Sequence, residues 1–333
     1  SFLIGEYRGQ EAQDPVFTVA DGILWLSQAM HRNSVVRRLQ VIKERGMPTM
    51  PGLHTMRITS AGVQVFPRIP ERTRDVRPRG DTHLSTGVSG LDELMGGGIP
   101  KGDSLVLAGP TGTGKTTFAM QFIAAGLAAG EAAVITIFEE HPDAYLERAT
   151  SIGLDLGAAV KAGKLRVIYL RPLDLSVDET LEEIRTAVQE IGAQRVVIDS
   201  ISGFEMALAP AFREDFRESL YRLIGTLTGL GVTIYSTVEV VDAKGRTGLH
   251  LTGYQVSFLT DDIVRLHYVE IEGELRKALM VVKMRGSNHS RAFRAYEIGA
   301  GGVHLGDSLH DFDAILSGMP SRQVRLPARA GGD

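Results

Sequence analysis

The sequence predicts an α/β fold built on a mostly parallel sheet with helices on both faces. Apolar strand-like runs alternate with amphipathic helical ones, and a glycine-rich turn sits where one strand hands over to one helix. A third observation, an internal repeat, predicts how the 333 residues are divided.

Taken in order, the expected strands are 104–108, 132–138, 165–170, 195–199 and 232–238, and the expected helices are 115–129, 142–152, 178–191 and 211–228. This βα alternation places ligands at the carboxyl ends of the strands. From Tyr254 onward β-rich segments recur at 256–258, 263–270, 277–284, 293–298 and 302–305, which extend the sheet with antiparallel strands.

The turn is Gly109-Pro110-Thr111-Gly112-Thr113-Gly114-Lys115-Thr116, after Ser104–Ala108 and before Thr117-Phe118-Ala119-Met120. Glycines allow successive backbone N–H groups to face an anion, and the helix start adds its positive dipole end. Lys115 reaches the outer phosphates, and the Thr116 hydroxyl suits Mg²⁺. A nucleoside triphosphate is the expected ligand.

Acids fall at the ends of neighbouring strands. Arg195-Val196-Val197-Ile198-Asp199 delivers Asp199 to the metal side of the phosphate loop, and Ile135-Thr136-Ile137-Phe138-Glu139-Glu140 delivers two carboxylates just before His141-Pro142. One of these can activate an attacking water or hydroxyl. Adjacent strand residues point to opposite faces, so Glu139 is the expected base and Glu140 its support.

Composition narrows the classes. With 43% hydrophobic residues the chain can bury a sizeable core, and a net charge of -4 gives no overall pull toward nucleic acid or anionic lipid. The absence of cysteine excludes a disulfide framework, a thiolate metal site and a cysteine nucleophile, and it fits a reducing cytoplasm. The longest weakly polar stretch, 119–138, contains Gln121 and Glu131 and continues the helix that follows the glycine turn, so no membrane span is expected.

Sliding the chain by 240 positions (261 minus 21) superposes Asp21, Ile23, Leu26, Leu39, Lys43, Arg45, Gly46, Ile58, Gly62 and Val63 on Asp261, Ile263, Leu266, Leu279, Lys283, Arg285, Gly286, Ile298, Gly302 and Val303 without a gap. Unrelated segments of this length share roughly two or three identities. Residues 1–66 are therefore expected to be the closing part of an earlier copy of the domain at 84–306, in a fragment of a longer tandem protein. Strands without their sheet are poorly stable alone, so 1–66 should pack on the second copy or on another chain. Residues 67–83 read as a Pro/Arg-rich linker whose arginines suit either solvent or an acidic or phosphate partner. Residues 307–333 read as a closing segment and a flexible tail beyond about 320, a place for a regulatory protein.

The run Leu84–Leu94, the following Gly96-Gly97-Gly98-Ile99-Pro100-Lys101-Gly102, the phosphate loop, Phe138-Glu139-Glu140, Lys283-Met284-Arg285-Gly286-Ser287 and Phe312–Pro320 together resemble KaiC and KaiC-like ATPases of the RecA superfamily, over about residues 84–320. The tandem repeat is also a feature of that family. The resemblance implies a RecA-like P-loop domain in a hexameric ring with ATP and Mg²⁺ between subunits. It implies Glu139 as general base and Lys283 and Arg285 as cations that reach the γ-phosphate of the neighbouring subunit. By the same resemblance Gly109, Thr111, Gly112, Thr113, Gly114, Lys115, Thr116 and Thr117 hold the phosphates, Thr116, Asp199 and Glu139 lie on the metal side, and Lys277 matches an arginine near the nucleotide base. KaiC also phosphorylates a neighbouring serine and threonine. Ser257 falls on the serine, but Phe258 replaces the threonine, so a two-site phosphorylation cycle is not available and Ser257 remains the candidate phosphoacceptor.

The alternative class is a RecA, RadA or DnaB-like motor driven by DNA. The available loops, about Glu205–Arg213 and Val241–Thr252, carry Arg213, Lys244 and Arg246 against Glu205 and Asp242, a thin electrostatic footprint for nucleic acid. A third reading makes ATP structural glue for a scaffold.

Overall fold

The computed structural model describes residues 2–6, 15–31, 34–68, 81–170, 176–208, 210–213, 216–240, 260–313, 315 and 321–322. The chain divides into two compact units, Ser1–Ile69 and Pro70–Asp333.

The first unit opens with a short helix, α1 (Pro15–Val19). Four strands follow, β1 (Gly22–His31), β2 (Ser34–Glu44), β3 (His54–Thr59) and β4 (Gly62–Phe66), paired antiparallel in chain order.

The second unit begins with a two-residue pairing, β5 (His83–Leu84) with β6 (Ile99–Pro100), that brackets α2 (Ser89–Leu94). The Asp92 carboxylate fastens this entry by accepting hydrogen bonds from Ser85 Oγ, Thr86 N and Thr86 Oγ1. Then come β7 (Ser104–Gly109), α3 (Lys115–Ala128), β8 (Ala133–Ile137), α4 (Pro142–Ser151), α5 (Leu156–Lys161), β9 (Leu165–Tyr169), α6 (Val177–Ile191), β10 (Arg195–Asp199), α7 (Ile201–Ala207), α8 (Pro210–Arg213), α9 (Phe216–Gly229) and β11 (Thr233–Glu239). The chain closes with β12 (Asp262–Ile271), β13 (Glu274–Lys283), β14 (Arg294–Gly299), β15 (Gly302–Ser308), β16 (Phe312–Asp313) and β17 (Ser321–Arg322).

Among the described residues, nine strands form one sheet in the order β15-β14-β13-β12-β7-β11-β10-β8-β9. From β12 to β9 all neighbours run parallel, and β12 to β15 form the antiparallel extension. Every residue of β7 and β8 is buried, as continuous apolar strands covered on both faces must be. Helix α6 is set by its ends: Ser176 accepts from Glu179 N at the start, Asp178 and Glu179 complement the positive dipole end, and Gly192 closes the helix in the left-handed region. Glu131 pairs with the Arg195 guanidinium, which is 2% exposed and also donates to the Ser85 and Phe122 carbonyls, tying β10 to α3 and to the entry segment.

The helix expected over 211–228 is seen as α8 and α9 on either side of 214–215, which lie outside the described residues, and Arg213 donates to the Met206 and Leu208 carbonyls at the end of α7. At the edge of the segment expected to be flexible beyond about 320, Ser321–Arg322 pairs with Phe312–Asp313. Phe312 packs on a satellite core of Val269, Ile271, Ala278, Leu309 and Ile315. The strand expected at 256–258 and the loop at 241–252 lie outside the described residues.

The 240-residue repeat extends from sequence to geometry. Strand β12 follows β1 at that offset at both ends (262 minus 22, 271 minus 31), and β14 follows β3 likewise (294 minus 54, 299 minus 59). Register repeats too: Leu26 faces Leu39 as Leu266 faces Leu279, and the bulge at Ile23/Leu24 recurs at Ile263/Val264. Burial does not repeat. Leu26 is 60% exposed and Val63 61%, whereas Leu266 and Val303 are buried.

Candidate nucleotide site

The carboxyl ends of the parallel strands meet around the glycine turn. Strand β7 ends at Gly109, Gly112 and Gly114 take positive φ, and α3 starts at Lys115 with Gly114 as its left-handed cap. The glycines are required by neighbours as well as by backbone. A Cβ on Gly109 would stand 2.7 Å from Leu266 Cβ, one on Gly112 would stand 2.7 Å from the Tyr268 hydroxyl, and one on Gly114 would run into Ile298 Cδ1. Gly114→Ala should therefore cost about 1–2 kcal/mol from left-handed backbone strain alone. A thermal unfolding curve should show a midpoint several degrees lower, together with weakened nucleotide binding.

Inside the turn, Lys115 Nζ donates to the Gly109 and Pro110 carbonyls at 2.9 Å each, and Thr113 Oγ1 donates to Pro110 O at 2.7 Å. Burial lowers the Lys115 pKa, and the charges of Glu239, Asp199 and Glu139 oppose that shift. Thr116 opens α3 beside Asp199, whose carboxylate accepts hydrogen bonds from Thr116 and Thr237. Burial raises the Asp199 pKa against those bonds, and nearby Glu139 raises it further. Thr117 is buried in the first turn of α3.

Glu139 and Glu140 lie in the bend just after β8 and take different partners. The Glu139 carboxylate is exposed and accepts a 2.9 Å hydrogen bond from Ser200 Oγ, which itself caps α7 by accepting from Gly203 N. Gly203 leaves room for it: a Cβ there would sit 2.7 Å from Glu139 Oε1. Glu140 is instead ion-paired with Arg148 on α4, and burial raises its pKa against that pairing.

A family model described as "ATPase: KaiC" matches residues 84–310, well over half of the chain. The chain belongs to the KaiC family of ATPases. Among similar proteins, the circadian clock oscillator protein KaiC of Parathermosynechococcus lividus is 32% identical over 91% of this chain and 55% of its own length. That of Prochlorococcus marinus is 33% identical over 91% of this chain and 60% of its own length, and that of Synechococcus elongatus 32% over 91% and 57%. The chain thus spans somewhat more than half the length of these relatives. The match favours the KaiC-type ATPase over a DNA-driven motor.

Against this KaiC-type frame, the structure separates the remaining candidates into two ends of the sheet. Lys277 pairs with Tyr268 on one side and Tyr296 on the other, and these tyrosines lean on the glycine turn: Tyr296 donates to Thr113 O at 2.7 Å. Lys277 therefore shares the sheet face and the end of its own phosphate loop. Lys283 and Arg285 do not. Lys283 pairs with Ile263, which pairs with Val106, three residues before Gly109. That sets Lys283 about 10 Å back along the strand direction and about 10 Å across. Lys283 Nζ donates to Thr260 O at 2.7 Å, and Arg285 pairs at 3.4 Å with Asp261, which accepts from Ser104 at the very start of β7. Both cations stand at the amino end, away from the loop of their own chain. Ser257 and Phe258 lie outside the described residues.

Several contributors were not picked out in the sequence. Glu239 ends an apolar strand just as Asp199 does and accepts a 2.7 Å hydrogen bond from Thr111 Oγ1, so the same strand-end pattern could have found it. Ser200 follows Asp199 directly and was equally readable. Tyr268 and Tyr296 have no local signal, because only the register across three strands brings them to the turn.

Proposed function

We propose that this chain binds ATP with Mg²⁺ at the β7–α3 turn and hydrolyses it within a homo-oligomeric, hexameric ring, acting as a nucleotide-dependent signalling or clock-like switch. The observation that carries the proposal is the division of charge. The phosphate loop and the acids gather at one end of the sheet, and Lys283 and Arg285 stand at the other, where only a neighbouring subunit's loop can meet them. The KaiC relatives are named for a circadian clock, which supports the switch role.

The residues fit a divalent cation. A Thr116 hydroxyl hydrogen-bonded to the Asp199 carboxylate, with Glu139 close enough to perturb it, is a hard-oxygen set of the kind Mg²⁺ takes alongside phosphates. Mg²⁺ held there offsets phosphate charge. Lys115 and the turn's N–H groups position the triphosphate, with Gly109, Thr111, Gly112, Thr113, Gly114 and Thr117 shaping the cradle. Glu139, oriented by Ser200, accepts the proton of the attacking water, while Glu140 is engaged with Arg148. Lys283 and Arg285 of the neighbouring protomer stabilise charge on the transferred phosphoryl group. Lys277, on the loop's own end, lies toward the nucleotide.

The same chemistry with Ser257 as acceptor makes the protein a serine autokinase, with a single site since Phe258 has no hydroxyl. Residues 1–66 serve as the closing part of a preceding domain of the same type. The exposed apolar face of β1–β4 supports this, because its counterpart in the second unit is the buried face beside the phosphate loop. Residues 67–83 act as linker, the segment from 307 onward as a docking place for a regulatory protein, and the protein works in the cytoplasm. No helix among the described residues is long and apolar enough to cross a membrane.

The test is phosphate release from ATP and Mg²⁺ measured across the fractions of a sizing column. Turnover should follow the ring fraction. Equal turnover per chain in monomer and ring contradicts the proposal. Intact-mass measurement after incubation with ATP and Mg²⁺ decides the kinase part: one added phosphate that disappears in Ser257→Ala supports it, and no added phosphate ends it.

A further inference from the structure

Three carboxylates surround the single ammonium of the phosphate loop, and only two of them have a task. Asp199 and Glu139 lie with Thr116 on the metal side. Glu239 lies between those acids and the loop's own strand β7 in sheet order, at the end of β11, in register with Gly109. Its backbone is fixed there, since Glu239 N donates to Ser202 Oγ at 3.2 Å and the next residue, Val240, donates to Gly109 O at 3.2 Å. Its carboxylate accepts from Thr111 Oγ1, at the tip of the turn. Of the three acids it acts most strongly on Lys115.

We propose that Glu239, held at the tip of the turn through Thr111, makes nucleotide binding conditional on a divalent cation by repelling a polyphosphate that arrives without one. The inference rests on the nucleotide reading above. The formal charges of Lys115 (+1) and of Glu139, Asp199 and Glu239 (−3) give the cradle a formal −2. A polyphosphate that brings no cation must therefore work against a pocket of its own sign. A cation carried with the phosphates is absorbed by Asp199 and Thr116 and neutralises that side. The Glu239 charge then meets a compensated ligand. Selection for the metal complex would thus come from an acid that need not hold the metal.

The test is calorimetric titration of ATP into the full chain, in excess Mg²⁺ and in excess EDTA, for the wild type and Glu239→Gln. Glutamine keeps an acceptor for Thr111 and removes only the charge. Glu239→Gln should bind ATP in EDTA about tenfold more tightly than the wild type, the scale of one unit charge a few ångströms from another at a partly solvated site. A misfolded variant cannot produce such a gain. Glu190→Gln, which removes an exposed charge remote from the turn, should give none. Affinity in EDTA that is unchanged or weaker in Glu239→Gln overturns the inference while leaving the nucleotide reading in place. A wild type that binds no ATP even in Mg²⁺ overturns that reading and the inference with it.

Discussion

Glu139→Gln should abolish steady-state ATP turnover, with a fall of at least about a hundredfold, while ATP still binds. The amide keeps the size of the side chain and an oxygen that can accept from Ser200 Oγ, so the local packing around α7 survives. What is lost is the capacity to take a proton. The Glu140 carboxylate does not substitute, because it is paired with Arg148. Single-turnover phosphate release beside a nucleotide titration separates the two effects. Turnover within a few-fold of wild type would move the base elsewhere. Glu140→Gln should cost far less, which makes the pair of variants a check on the assignment of Glu139 as the base.

Arg285→Ala should lower turnover by roughly a thousandfold, the scale of a cation supplied to a phosphoryl group in flight. It should leave folding nearly untouched. The guanidinium is half-exposed and its pairing with Asp261 is long, so the pair contributes about 1 kcal/mol or less. Asp261 keeps its hydrogen bonds from Ser104 when the arginine is removed. Thermal unfolding within a degree or two of wild type, together with collapsed turnover, is the expected combination. An equal loss in a stably monomeric form would place the arginine's effect within its own chain.

Much of the fold was legible because the sheet is buried on both faces. Continuous apolar runs such as Ser104–Gly109 and Arg195–Asp199 mark their strands to within a residue, and α6 announces its ends with Ser176 and Gly192. Short elements were not legible. Helices α2, α5 and α7 span only six or seven residues, too few for a helical period to stand out.

At the site, residues adjacent in sequence to a motif were readable and those brought in by register were not. The turn, Asp199 and the Glu139/Glu140 pair could be placed because strand ends fix them locally. Tyr268 and Tyr296 reach the turn only through pairing across β12, β13 and β14, which local pattern does not encode. The same register separates Lys283 from its own Lys115. The sequence could name both lysines but not their distance.

The central claim, that each catalytic unit is shared by two protomers, is tested most directly by mixing Glu139→Gln and Arg285→Ala chains, each nearly inactive alone. In rings reassembled from equal parts, about one interface in four joins an intact Glu139 to an intact Arg285, since each side is right half of the time. Turnover should therefore recover to about a quarter of the wild-type rate. Mixed rings no more active than the sum of the two parent variants would contradict a shared site.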